Sequence, residues 1–212
     1  MELAERILFL FMGWLLGLLS PVIVDSIKRK REIKEVRLGI MTELKELQYR
    51  LAGVVFLINK RFGTLDRELL QWVHDITAKY EGVNPSEQIM EATRRLLELT
   101  DEQIQALAMQ SRDTAGPALS LKRYSLPFVD SKMGYMSAFD VPFQNHVFEI
   151  KNYLNAFNEE VDQARHYTAL TFNSSLTEEN HRSVCQNLES CYRSAARRSK
   201  TIVEIVERIK NK

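Results

Sequence analysis

Arg67 and His74 stand seven positions apart in a chain of 212 residues. A guanidinium can hold developing phosphate charge, and an imidazole can move a proton near neutral pH. Two further pairs, His146 with Glu149 and Asp162 with His166, lie one helical turn apart, a spacing at which side chains can share a metal. The repeated Glu-x-x-His pairs of a di-iron bundle do not occur, so no metal is expected. Cys185 and Cys191 fall on different faces of a helix and read as reduced thiols, not as a disulfide or a zinc pair. Arg193, Arg197, Arg198 and Lys200 form a basic cluster near the C-terminus that could meet anionic lipid, nucleic acid or an acidic partner. Only Tyr192 interleaves with it, which argues against specific nucleic-acid reading. No Gly-rich phosphate loop, Gly-x-Ser-x-Gly or His-Glu-x-x-His is present, and no cofactor is expected.

The spacing of Arg67 and His74 resembles the Arg-x(4–6)-His motif of HEPN ribonucleases. That resemblance covers the two positions alone. It implies a helical bundle in which the two residues meet their copies at a dimer interface and cleave RNA. Arg67 would then stabilise phosphate charge and His74 would transfer a proton. This is the alternative to a non-enzymatic reading, which the rest of the chain favours.

The segment that must position everything else is Ile7 to Val24, ILFLFMGWLLGLLSPVIV, which holds no charged residue. A bilayer core needs roughly 20 apolar residues, with about 17 as the lower limit. The stretch predicts a single transmembrane helix, with residues 1–25 as an anchor. The near-neutral start and the missing Ala-x-Ala site argue against a cleaved signal peptide. Lys28, Arg29, Lys30 and Arg31 follow directly and predict a cytoplasmic C-terminal side, with the N-terminus outside the inner (plasma) membrane. The same cluster is the expected lipid contact. Gly13 and Gly17 form a Gly-x-x-x-Gly pair, which predicts helix contact in lipid and a homo-oligomer.

Residues 26–212 are expected to form an all-α, long-helix antiparallel bundle at net charge +1 over the whole chain. The first helix should continue beyond the anchor with Ile33, Val36, Ile40, Leu44, Leu47, Leu51, Val54 and Ile58 as its apolar stripe, stopping near Gly63. Thr64 should open a second helix running to about Gly82. Asn84-Pro85 and Thr100 with Gln103 read as further helix starts. Asp140 should cap a helix whose seam is Phe143, Val147, Ile150, Leu154, Phe157, Val161, Ala164 and Thr168. Ser175 with Glu178 should open the last helix, with Arg198 on its seam and in need of a carboxylate if buried.

Residues 114–142 break the periodicity with Pro117, Pro127 and Pro142, yet remain rich in apolar side chains. They read either as an irregular cap over the bundle or as a docking surface built on Tyr124, Phe128, Tyr135 and Phe139. A small molecule held there would make the protein a ligand-gated sensor. The main expectation is a membrane-anchored scaffold, sensor or effector with lipid, itself and a protein partner as contacts. This layout is similar to that of bacterial membrane effectors of stress and phage-defence loci.

Overall fold

The computed structural model describes residues 2–82, 87–113 and 119–210, without the side chains of several residues before position 23 and of Asp113. Seven α-helices follow in order: α1 Glu2–Phe62, α2 Arg67–Ala78, α3 Glu87–Leu97, α4 Asp101–Asp113, α5 Pro127–Ser131, α6 Val141–Thr171 and α7 Glu178–Lys210. A 3-10 turn, Met133–Ala138, links α5 to α6. No strand occurs among the described residues. The architecture is an all-α bundle.

Three long helices make the main core. The α6–α7 hairpin is antiparallel, with Glu160 beside Arg198 and Gln163 beside Cys191. α1 also runs against α7, since Gln48 meets Val203 while Phe62 meets Tyr192. The expected stripes are the buried ones: Val36 to Ile58 on α1 and Phe143 to Ala164 on α6. On α7 the seam passes through Ser199, which is fully buried, and Arg198 stands beside it. Arg198 reaches Glu160 of α6, 3.2 Å away, so the carboxylate partner required of it is present. Tyr192, Val203 and Val206 are buried as well. α7 packs against two helices, so it needs a wider apolar face than a two-stranded seam.

α1 buries more than one stripe at its C-terminal end. Phe56 joins Leu65, Leu70, Val73, Ile104 and Ala108 in a second core with α2 and α4. This explains why Leu51–Ile58 is almost continuously apolar. Gly63 closes α1 in the left-handed region at φ 68°, as expected of a C-terminal glycine. α2 begins later than Thr64, because Asp66 is the cap and accepts from the Leu69 N–H at 2.7 Å. Thr100 and Gln103 make the expected reciprocal capping box at 2.9 and 3.3 Å. Asn84-Pro85 and Pro117 lie outside the described residues. For α7 the cap is Thr177, which takes the Asn180 N–H at 3.3 Å. Ser175 instead donates to Asn173 within the turn.

Two glycines of α1 lie off its stripe for a packing reason. A Cβ at Gly39 would stand 2.3 Å from the Phe128 ring, and one at Gly53 2.8 Å from Ile89 Cδ1. The ring is rigid, whereas the isoleucine methyl can turn away. Gly39→Ala is therefore expected to lose about 1–3 kcal/mol to overpacking, offset by about 1 kcal/mol of helix propensity. Gly53→Ala should be neutral or slightly stabilising. Urea unfolding of both variants checks the contrast.

Asp140 caps α6 as expected, accepting from the Phe143 N–H at 2.8 Å. That hydrogen bond, opposed by partial burial and aided by Arg37, holds its carboxyl below the ordinary 3.8. A lowered carboxyl contributes stability above its unfolded value and loses it as pH falls through the folded one. Asp140→Asn keeps an acceptor that does not titrate. Its unfolding midpoint should fall less steeply than wild type as pH drops below the ordinary value, read by circular dichroism.

Among the described residues no helix is long and apolar enough to cross a membrane. The stretch expected to span is helical and passes through Pro21 without a break. It rests in part on Leu15, Leu16, Leu18, Leu19, Ser20 and Val22, whose side chains lie outside the described residues.

Candidate functional site

Arg67 and His74 are each engaged in holding α2 to its neighbours. Arg67 pairs with Asp101 through Nε at 2.5 Å and donates to the carbonyls of Leu97 (3.0 Å) and Leu99. It thereby satisfies carbonyls at the end of α3 and ties them to the start of α4. His74 Nδ1 lies 3.3 Å from Thr93 Oγ1, and the Thr93 side chain is buried against α3's own backbone. The two side chains point into different contacts and do not converge.

The other titratable pairs stand elsewhere on the bundle. His146 Nδ1 lies 3.7 Å from Glu149. Asp162 turns away from His166 to pair with Arg123 at 2.7 Å and Arg165 at 3.7 Å. Among the described residues no group of three or more His, Cys, Asp and Glu side chains is placed to hold a metal ion. Cys185 is exposed and Cys191 buried, and both are free thiols. Burial pushes the Cys191 thiol up from its ordinary value.

The apolar side chains of the 119–139 stretch turn inward. Tyr124 stacks on Phe157 with ring centres 5.8 Å apart, and Phe139 packs on Phe143 at 5.0 Å. Phe128 lies on Gly39, and the Tyr135 hydroxyl donates to Glu32. Two polar side chains that the periodicity did not single out fasten this cap. The Glu43 carboxylate accepts from the Phe128 and Val129 N–H groups at 3.0 and 2.8 Å, capping α5 from α1. Asn158 of α6 accepts from Tyr124 N–H at 3.0 Å and donates to Tyr124 O at 2.8 Å. The docking aromatics are thus the cap's own anchors. A hollow of about 300 Å³ remains beside Arg123 and Lys151.

The glycines expected to make helix contact stand in open surroundings. A Cβ at Gly13 or Gly17 would meet nothing within 4 Å. Lys28, Arg29, Lys30 and Arg31 are exposed, and Arg31 pairs with Glu35 at 2.8 Å. Lys28 and Arg29 line a hollow of about 380 Å³ against Gly134–Ala138.

A larger concave site lies at the far end of α1, about 790 Å³ in volume, between α1, α2 and α7. Val55, Ile58 and Phe62 supply its floor, and Trp72 of α2 one wall. The opposite wall is the face of α7 carrying Arg193, Arg197 and Lys200, spaced four and three apart as one helix face requires. Arg193 lies 5.0 Å over the Phe62 ring and pairs with Glu189 at 2.7 Å. Lys200 sits 5.9 Å over Trp72, and Arg197 reaches only Ser194 at 3.3 Å. The C-terminal basic cluster is legible in the sequence. Its aromatic partners are not, because they come from α1 and α2, far away in the chain.

Comparison of the chain with protein-family models, curated proteins and solved structures finds no match.

Proposed function

We propose that the protein is a membrane-anchored helical interaction protein. Residues 7–24 sit in the bilayer, residues 26–212 form a cytoplasmic bundle, and the protein acts by self-association or partner recruitment, not catalysis. The observation that carries this reading is the contrast along one continuous helix. From Val36 onward α1 buries its stripe in the bundle, whereas Phe9 and Leu10 are each 75% exposed and Trp14 61% exposed. Water penalises such a rod at roughly 25 cal/mol per Å² of apolar surface, and lipid removes the penalty. Lys28 to Arg31, exposed just beyond it, support a cytoplasmic bundle and contact with anionic headgroups. The open surroundings of Gly13 and Gly17 leave that face available to a second copy in lipid.

Carbonate extraction and flotation on vesicles test the anchor. The full chain should stay with the lipid, and recovery in the soluble fraction would overturn the reading. Protease added from outside sealed cells should leave the bundle intact. Gly13→Leu with Gly17→Leu should lower the mass of the detergent-solubilised particle, while His74→Ala should leave any cellular phenotype unchanged.

A further inference from the structure

We infer that the cleft between α1, α2 and α7 binds a small amphiphilic anion, a flat apolar or aromatic body carrying a phosphate or carboxylate. Its volume of about 790 Å³ is large enough for a whole ligand of this kind. The floor of Val55, Ile58 and Phe62 and the Trp72 wall offer apolar and ring surface. The lining carries three carboxylates, Asp66, Glu68 and Glu189, and three cations, Arg193, Arg197 and Lys200. Glu189 is held by Arg193, and Asp66 caps α2. Among the described residues Arg197 and Lys200 have no carboxylate within ion-pair distance, which leaves both cations placed to meet an anionic group. Lys200 over Trp72 and Arg193 over Phe62 place cations beside rings, so one ligand can stack and be neutralised at once. Arg197 and Lys200 lie one turn apart on α7, a span that suits the oxygens of a single anionic group.

The test does not depend on the anchor, because vesicle flotation is read without ligand and ligand binding is read in micelles. Trp14→Phe leaves Trp72 as the remaining tryptophan of the two in the chain. Flavin mononucleotide serves as the probe, with riboflavin as the same ring lacking phosphate and inorganic phosphate as the anion alone. Flavin mononucleotide should quench Trp72 saturably, and riboflavin and phosphate should each bind about tenfold or more weaker. Arg197→Glu with Lys200→Glu, both exposed positions, should weaken the probe by at least about tenfold with unchanged far-ultraviolet circular dichroism. Trp72 quenching that is absent at millimolar probe, equal for riboflavin, or untouched by the charge reversal would overturn the proposal.

Discussion

Leu10→Arg combined with Trp14→Arg is expected to release the chain from membranes. Both side chains are exposed, on one face of α1 four residues apart, with Trp14 near the middle of the apolar stretch and Leu10 in its first turn. A charge at the centre of a spanning helix costs about 2.5–3.5 kcal/mol on the insertion scale, so Trp14→Arg should cost about that much and Leu10→Arg a smaller amount on top. That is ample to shift the chain from lipid to the aqueous phase. Among the described residues Val36 is the first buried side chain of α1, so the thermal unfolding of the bundle should not change. Carbonate extraction gives the first result and circular dichroism the second. An unaltered distribution would remove the anchor from the account. Unfolding of the bundle would mean that the N-terminal rod is packed against it.

Asn158→Leu should be the most damaging of the polar changes within the bundle. The amide is 8% exposed and serves both the N–H and the carbonyl of Tyr124. Leucine keeps the branched shape and loses both bonds, leaving two partly buried backbone groups without partners. Each such group costs about 1–3 kcal/mol, so a loss of about 2–6 kcal/mol is expected. Because the bonds lie between α6 and the cap, amide exchange should accelerate first over Leu121–Val129. A loss of stability spread evenly over α6 and α7 would argue instead that Asn158 acts only through core packing.

Arg67 shows how much the spacing of a motif leaves open. The interval between Arg67 and His74 suits proton and phosphate chemistry, and the fold gives each side chain a packing partner as well. One closes the α3–α4 turn, and the other faces Thr93. Nothing in the residue types near position 67 announces this, because its partners lie about thirty positions later in the chain.

The apolar cap was legible as a cap in one respect and opaque in another. Nine apolar side chains between prolines had to be buried somewhere, so inward packing follows from solvation alone. The identity of the fasteners did not follow, since Glu43 and Asn158 read as ordinary polar positions on long helices. Gly39 carried a signal of its own: a glycine within a long helix lowers helix propensity, so its presence points to close approach by another group.

What the sequence by itself determined is everything that repeats with the helical period or depends on local chemistry. The three long helices, their seams, the Gly63 stop, the Thr100–Gln103 box and the Asp140 cap are local, set by residues within a few positions of one another. What only the tertiary structure decided is which distant groups meet. Arg198 finding Glu160, Glu43 capping α5 and Trp72 facing Lys200 across the distal cleft each join different helices. Periodicity specifies which face of a helix is buried. It does not specify the rotation and height at which two helices dock, and those set the distances on which a binding site depends.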